Sequence, residues 1–326
     1  MDYGFSSWVL GAIAGILLWC TPPTASAEDL CAPSEATDPQ PQHINGSQPF
    51  IYKTIGDVDL RLYVFNSAGH KPSYKAPAVV FFYGGGFLFG DIRRYQTQAT
   101  HLALRGLVTV LVDYRVKCRH GSTIMDSVTD GKSAMRWVRE HADQFGIDPS
   151  RIAAIGSSAG GLMAAATALV SDFDDPADPP IDPRPNALVL YNPALNTASP
   201  AAIHNLTTNW GKAVADHARE FSPIDHLDRG LPPTIIFQGT ADKGVSFVTA
   251  KDFCKRARAL KAQCEVVLYP GAPHGFTEVW LGLEDPSVFP KTEFWASDTS
   301  RRTDAFLTKL GWLPPRRPGQ YGSGRP

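Results

Sequence analysis

Nearly unbroken apolar runs of four or five residues recur along the chain and alternate with longer segments in which apolar residues follow a helical spacing. A strand buried on both faces of a parallel sheet has such an unbroken pattern, because neither face meets water. Strands that alternate with helices predict a mostly parallel sheet with right-handed crossovers, which is the α/β fold class. The strand-like runs are 78–82, 108–112, 151–154, 187–190, 234–237 and 265–269, preceded by 50–53 and 58–65, and the helical segments include 124–145, 247–260 and 303–310.

The segments around this core differ from it in composition. Residues 28–47 are polar and rich in proline, which predicts an extended N-terminal arm. Residues 172–185 form a loop rich in proline and aspartate, and the mixed character of residues 195–222 predicts a small lid. Residues 314–326 are rich in Pro, Gly and Arg, and we expect them to be disordered. The sequence has no internal repeat, so that we expect one domain over residues 48–313.

The first 27 residues have the pattern of an export signal. Trp8 to Trp19 is an apolar or glycine stretch, and a helix of that length reaches about 18 Å, short of a bilayer core of about 30 Å. Ala25-Ser26-Ala27 suits a cleavage site after Ala27. The preceding region contains Asp2 and no Lys or Arg, so that a short membrane anchor and a misassigned start codon remain alternatives. We expect cleavage, export to the periplasm or the extracellular space, and no stable membrane span afterwards.

Four cysteines remain after that segment is removed: Cys31, Cys118, Cys254 and Cys264. An even number in an exported protein favours disulfides. A bridge between Cys254 and Cys264 would be local, and one between Cys31 and Cys118 would fix the N-terminal arm. Buried free thiols that act as small apolar side chains are an equal alternative, so that the pairing stays open.

Composition excludes several classes of partner. The chain of 326 residues is 43% hydrophobic and 19% charged, which is typical of a globular protein with a sizeable core. Its net charge is −1 and it has no block of Lys and Arg, so that we expect no nucleic-acid partner. Neither H-E-x-x-H nor a paired-cysteine motif is present, and we expect no metal.

The most informative motif is G-x-S-x-G at residues 156–160, between the strand-like run 151–154 and the small-residue helical segment 162–166. In this context it is typical of the nucleophile elbow of serine hydrolases, whose glycines relieve crowding in a strained turn. Ser158 is therefore the predicted nucleophile. An ordinary Gly/Ser turn is the alternative.

A serine hydroxyl needs a base within hydrogen-bond reach and a third group that orients the base. In this fold the three follow the order serine, acid, histidine, on loops after late strands. Of the nine histidines, His274 combines a late position with a loop rich in Gly and Pro after a strand. Asp242 directly follows the run 234–237 and is the predicted acid. A turn-forming role is the alternative for Asp242, and Asp225 is the second choice, although it precedes that run.

Residues 83–87, Tyr-Gly-Gly-Gly-Phe, follow the run 78–82 at the position where esterases carry an oxyanion loop. The backbone N–H of Ala159, directly after Ser158, would complete the donors. The segment fits neither phosphate-loop pattern, so that a nucleotide site is not expected.

These motifs resemble the hormone-sensitive-lipase-like, acetyl-esterase branch of the α/β-hydrolases. The resemblance covers about residues 75 to 313. It implies an α/β-hydrolase fold with an eight-stranded, mostly parallel sheet, no cofactor, and hydrolysis of carboxylic esters as a carboxylesterase (EC 3.1.1.-). By the family pattern the triad is Ser158, Asp242 and His274, and the oxyanion donors are Gly85, Gly86 and Ala159. The resemblance rests on residues 83–87, 113–115, 146–152, 156–161, 239–242 and 274–276.

Two residues depart from the family pattern. Tyr83 stands where the branch usually has His, and a phenol can still anchor the loop by hydrogen bonding. Ser157 stands where the branch often has Asp, and we expect this change to alter local hydrogen bonds only.

The expected substrate is a small-molecule ester with a short acyl chain, because the lid segment lacks the long apolar helices of triglyceride lipases. Phe87, Leu88 and Phe89 are expected on the acyl side, and Phe276 and Trp280 on the alcohol side, with core packing as the alternative for each aromatic residue. Export would suit an acetylated carbohydrate. The rival hypotheses are a serine peptidase of the prolyl-oligopeptidase type and a catalytically silent binding module, and acyl transfer cannot be separated from hydrolysis by sequence.

Overall fold

The computed structural model describes residue 31, residues 37–277 and residues 289–315. The predicted export signal, 1–27, lies outside the described residues. So do Trp280 and all but the first two residues of the predicted tail, 314–326.

The described residues contain an eight-stranded sheet whose order is β1-β2-β4-β3-β5-β6-β7-β8. The first two strands are antiparallel to their neighbours, and all the other pairs are parallel. The predicted α/β class with about eight mostly parallel strands is confirmed. The strands are β1 Gln48–Ile55, β2 Val58–Phe65, β3 Ala76–Phe82, β4 Val108–Val112, β5 Ile147–Ser157, β6 Ala187–Tyr191, β7 Thr234–Gly239 and β8 Cys264–Tyr269.

Helices connect the strands. They are α1 Gln96–Leu104, α2 Lys117–His120, α3 Ile124–Glu140, α4 Ala159–Leu169, α5 Pro200–Trp210, α6 Lys212–Asp216, α7 Phe247–Ala259 and α8 Phe289–Lys309. Short 3₁₀ turns lie at Pro72–Tyr74, Ile92–Tyr95 and Pro223–His226. No helix among the described residues has the length and apolar character that crossing a bilayer requires.

Two helices differ in extent from the sequence prediction. The predicted helix 124–145 ends at Glu140, because the chain turns there to enter β5 at Ile147. The predicted helix 303–310 is the last part of α8, which begins at Phe289. Pro290 is its second residue, a position at which the missing N–H removes no helical hydrogen bond.

The register of the central strands explains where a site can form. Phe82 at the end of β3 is paired with Val112 of β4 and with Gly156 of β5. The carboxyl ends of these strands therefore meet at one edge of the sheet, where ligands bind in open α/β sheets. Every residue of β3, β4 and β6 is buried, in agreement with their unbroken apolar sequences.

The loop 172–185 is held by buried cations of α3. The Lys132 side chain is 2% exposed; its Nζ donates to the carbonyl of Asp172 at 2.7 Å and pairs with Asp174 at 2.6 Å. Arg136 pairs with Asp178 at 3.1 Å. The loop has no helix or strand to bond its main-chain carbonyls, and the cations of α3 supply hydrogen bonds to them and ion pairs to the loop aspartates.

Both disulfides considered from the sequence are present, Cys31–Cys118 and Cys254–Cys264. The alternative of four free thiols is therefore excluded. The first bridge fixes the N-terminal arm to α2, and the second joins α7 to the start of β8.

The junction of β5 and α4 is packed directly against the end of β3. A Cβ atom at Gly160 would overlap the carbonyl oxygens of Phe82 and Tyr83, and one at Gly156 would overlap the carbonyl oxygen of Gly160. The two motif glycines are therefore required for close backbone contact.

We expect Gly160→Ala to lower the free energy of unfolding by about 2 to 4 kcal/mol, because backbone atoms cannot move aside as a side chain can. Alanine normally stabilises a helix relative to glycine. A lower unfolding free energy of the variant is therefore due to the steric contact. Gly230→Ala is the control, because the nearest atom to its Cβ would be a side-chain oxygen of Asp228 at 3.2 Å. Chemical denaturation measures both, and equal stabilities of the two variants would contradict this packing.

Candidate active site

Ser158 occupies the turn between β5 and α4 in a strained conformation. Its φ of 55° and ψ of −118° lie outside the regions favoured by residues with a side chain. The backbone N–H of Ser158 donates to the Tyr191 carbonyl at 2.9 Å, and its carbonyl accepts from Leu162 at 3.0 Å and Ala194 at 3.2 Å. These bonds from three elements hold the turn.

His274 bridges Ser158 and Asp242. Its Nε2 lies 2.9 Å from the Ser158 hydroxyl oxygen, and its Nδ1 lies 2.9 Å from Asp242 Oδ2. The structure therefore joins the predicted hydroxyl, imidazole and carboxylate in one hydrogen-bonded chain. With Nδ1 protonated, Nε2 is free to accept the serine proton.

Asp242 is surrounded by donors. Its Oδ1 accepts from the backbone N–H groups of Gly244 at 2.8 Å and Val245 at 2.7 Å, and its Oδ2 also accepts from Gln238 Nε2 at 2.9 Å. Burial by itself would raise the pKa of Asp242, but the hydrogen bond and charge of His274 and the bonds from Val245 and Gln238 outweigh it and lower that pKa. The carboxylate is ionised and fixed in place.

The loops after β7 and β8 are joined to each other, which brings Asp242 to His274. The backbone N–H of Thr240 donates to the Tyr269 carbonyl at 3.0 Å, and that of Ala241 donates to the Ala272 carbonyl at 3.1 Å. Gly244 lies against the imidazole of His274, because a Cβ there would approach ring atoms at 3.2 Å. Asp225, the second choice for the acid, lies in the turn 223–226 and pairs with Arg219 at 2.7 Å.

The glycine loop after β3 begins beside the elbow, since Gly160 contacts the Tyr83 carbonyl. Gly85 has a φ of 133°, and its Cβ would overlap the Phe89 carbonyl, so that glycine is required there. Gly86 is exposed. Ala159 is the first residue of α4, and its N–H has no acceptor within the helix. The structure places Gly85, Gly86 and Ala159 at the same sheet edge, and their role as oxyanion donors stays a prediction.

Tyr83 anchors this loop, as expected for a phenol in place of the usual histidine. Its hydroxyl oxygen lies 3.2 Å from Asp113 Oδ1 and 3.0 Å from the Tyr114 carbonyl oxygen, and its single proton is shared between these two acceptors. Its ring stacks on that of Tyr114 with centroids 4.2 Å apart. A Cβ at Gly90 would overlap the Tyr83 ring. The far end of the loop therefore packs directly against this ring.

Asp113 is a residue of the site region to which the sequence analysis gave no role, although it belongs to a motif behind the family resemblance. It is buried, and burial raises its pKa to about 7, partly offset by the charge of Arg119 and the hydrogen bond from Tyr83. Proximity to Asp130 adds to the rise. The sequence did not show that Asp113 contacts Tyr83, the first residue of the glycine loop.

Two of the predicted substrate-contacting aromatics, Phe87 and Phe276, are buried, whereas Phe89 is partly exposed. Phe87 is 3% exposed and packs edge-on against Tyr114 with centroids 6.2 Å apart. Phe276 is 2% exposed and contacts Tyr269 and Trp295 at centroid distances of 5.0 and 6.0 Å. Both therefore pack in the core, and their contact with a substrate stays a prediction.

Ser157, the second departure from the family pattern, is buried, and its hydroxyl accepts a hydrogen bond from Asn192 Nδ2 at 3.3 Å. Among the described residues, no group of three His, Cys, Asp or Glu side chains is placed to hold a metal ion.

A family model described as the alpha/beta hydrolase fold matches residues 79–278. Among curated proteins, esterase LipC of Mycobacterium tuberculosis is 28% identical over 230 residues, which are 63% of this chain and 54% of that protein. Carboxylesterase NlhH of the same organism is 30% identical over 201 residues, or 59% of this chain and 58% of that protein. The chain spans about half the length of the first curated relatives it matches.

Solved structures resemble the chain over a larger share of its length. The apo form of Thermogutta terrifontis esterase 2 is 37% identical with a TM-score of 0.73, over 84% of this chain and 98% of that one. Other structures of that esterase are bound to propionate or butyrate, or are phosphorylated by paraoxon.

The raised pKa of Asp113 predicts a pH-dependent stability. The folded protein holds this proton up to about pH 7, whereas the unfolded chain releases it near pH 4. The stability contributed by the proton is therefore complete at low pH and is lost as the pH rises between these values. We expect the unfolding free energy of the wild type, relative to Asp113→Asn, to fall by about 2 to 3 kcal/mol between pH 5 and pH 8.

Asp148→Asn is the control for this measurement. Hydrogen bonds from Ser150 and Arg151 lower the pKa of Asp148, so that it is ionised in both states over this range. Denaturation of the three proteins at several pH values makes the comparison. A wild-type advantage over Asp113→Asn that stays constant with pH would contradict the raised pKa.

Proposed function

The chain belongs to the alpha/beta hydrolase fold family, and from that membership and the geometry of the site we propose that it is a serine carboxylesterase that cleaves short-chain esters through an acyl-enzyme. The observation that carries the proposal is the continuous chain of hydrogen bonds from Ser158 through His274 to Asp242, each 2.9 Å long. Named esterases among the relatives support the same class of reaction.

The first half-reaction follows from this geometry. The Ser158 oxygen attacks the ester carbonyl while its proton passes to His274 Nε2, and Asp242 stabilises the resulting imidazolium. Backbone N–H groups of Gly85, Gly86 and Ala159 are the proposed donors to the oxyanion. Collapse of the tetrahedral intermediate breaks the bond to the alcohol oxygen, which takes the proton from His274 as it leaves.

The second half-reaction uses the same groups with water. His274 removes a proton from the water that attacks the acyl carbon. The bond to Ser158 then breaks, and the proton returns to the serine oxygen as the acid departs. Ser158 and His274 return to their starting protonation states, so that the reaction needs only the ester and water.

Two observations support a short acyl chain. The predicted lid segment, 195–222, contains α5 and α6, of 11 and 5 residues, rather than long apolar helices. Propionate and butyrate, both short acids, are bound in structures of the related Thermogutta esterase. We therefore place acetyl and similar groups on the acyl side.

We further propose that the protein acts after export, on an acetylated carbohydrate or a similar small ester. The two disulfides support this proposal, because disulfides persist in an oxidising compartment. An acetylated-glycan panel tests the alcohol part once activity is established.

We expect purified protein to cleave p-nitrophenyl acetate much faster than the decanoate. Ser158→Ala should lose at least about a thousandfold in kcat, because the nucleophile is gone. A fluorophosphonate should label Ser158 of the wild type, as mapped by mass spectrometry. Faster cleavage of the decanoate would contradict the short-chain assignment.

The rival hypotheses give other outcomes in the same experiment. Absence of labelling would indicate a silent binding module, and labelling with peptide cleavage but no ester cleavage would indicate a peptidase. Unchanged esterase activity in Ser158→Ala would overturn the proposed nucleophile.

We expect Asp242→Asn to lower kcat by about a thousandfold to ten-thousandfold, because an amide no longer enforces the correct imidazole tautomer. Asp225→Asn is the matched control and should retain kcat, since Asp225 pairs with Arg219 instead. Steady-state kinetics on p-nitrophenyl acetate measure both. A similar loss in the two variants would contradict the assignment of the acid.

A further inference from the structure

The short helix α2 is attached to the segment that follows the glycine loop. The backbone N–H of Lys117 donates to the Phe87 carbonyl at 2.9 Å, and that of Cys118 donates to the Leu88 carbonyl at 2.9 Å. Phe87 and Leu88 are the residues expected on the acyl side. A displacement of α2 would therefore move the segment that is predicted to line the acyl side.

The α2 segment is itself firmly held. Cys118 is bridged to Cys31, and Arg119 donates to the carbonyls of Asp38 at 2.7 Å and Gly90 at 2.8 Å. The N–H of Val116 donates to His120 Nδ1 at 3.0 Å. Burial and the charge of Arg119 lower the pKa of His120 to about 4, so that this nitrogen remains an acceptor at neutral pH.

The Lys117 side chain connects α2 to α5. Its Nζ donates to the Asn209 carbonyl at 2.8 Å and lies 5.2 Å from the centroid of the Trp210 ring. Asn209 and Trp210 are the last two residues of α5, where carbonyls lack helical partners and the helix dipole attracts a cation. Lys117 thus supplies both a hydrogen bond and a cation–π contact.

Apart from Lys117, this end of α5 is held by the Trp210 side chain, which is partly buried against the hydrophobic core. Leu206 is the only buried residue of the helix, all of which the structure describes. The segment before α5 is attached near the nucleophile, because Ala194 donates to the carbonyl of Ser158 at 3.2 Å. The segment before α5 is therefore attached to Ser158, and Lys117 attaches the C-terminal end of α5 to α2.

We propose that Lys117 is a positioning residue that holds the C-terminal end of α5 against the acyl-side wall and thereby limits the length of the acyl chain the site accepts. The proposal rests on the proposed esterase function. Without the Lys117 contacts the end of α5 can move away from α2, which makes room for longer chains while the triad stays intact.

The test compares Lys117→Met with the wild type on p-nitrophenyl acetate and octanoate. We expect the octanoate-to-acetate ratio of kcat/KM to rise about fivefold or more, mainly through a lower KM for octanoate, with kcat for acetate within about twofold. Lys117→Arg keeps a cation that can bind the carbonyl and stack on Trp210, and it should restore the wild-type ratio.

Lys212→Met is the matched control. Lys212 lies on α6 with its side chain 79% exposed and pairs with Asp216, so that its loss should leave the ratio unchanged. An unchanged ratio in Lys117→Met, or an equal change in Lys212→Met, would overturn the proposal.

Hydrogen exchange separates this proposal from the proposed function, because it needs no substrate. Amides of residues 201–210 should exchange about fivefold to tenfold faster in Lys117→Met than in the wild type and in Lys212→Met. Equal exchange in all three proteins would show that Lys117 does not position α5. If the wild type cleaves no ester while α5 still loosens in Lys117→Met, the esterase assignment fails and the positioning role stands.

Discussion

The contact between the first turn of α4 and the carbonyl end of β3 is the constraint on which the rest of the site depends. Gly160 lies against the carbonyls of Phe82 and Tyr83, where no side chain fits. This approach places the positive-φ turn of Ser158 beside the glycine loop. The proposed nucleophile and the proposed backbone donors to its oxyanion can therefore share one sheet edge without any further element between them.

Two buried carboxylates near that edge have opposite pKa shifts, for one physical reason. Asp242 receives hydrogen bonds from two backbone N–H groups, an amide and the imidazole, and its pKa is lowered. Asp113 is buried with fewer donors, and its pKa is raised to about 7. Burial raises the pKa of both carboxylates, and the hydrogen bonds and charges around each one decide whether that rise is overcome. Asp242 is bonded to His274, the proposed base, and Asp113 contacts the glycine loop through Tyr83.

Beyond this centre, the structure forms a continuous set of attachments around the acyl side. The N-terminal arm is bridged to α2, α2 is bonded to the segment of Phe87 and Leu88, and Lys117 reaches the end of α5. The C-terminal end of α5 is therefore held by the contacts of Lys117 together with the partly buried Trp210 side chain. Such contacts suit a surface element whose position affects selectivity more than stability.

Local sequence patterns by themselves determined the fold class, the strand positions within a few residues, and the choice of Ser158, His274 and Asp242. These features depend on neighbours in the chain, since apolar periodicity, a glycine turn and a strand end are all short-range signals. Only the tertiary structure decided the disulfide pairing, the pKa of Asp113, the burial of Phe276 and the contacts of Lys117. Cys31 lies 87 residues from Cys118, and Lys117 lies 92 residues from Asn209. Contacts across such separations depend on how the elements pack, and a residue's burial depends on neighbours that its own sequence environment does not specify.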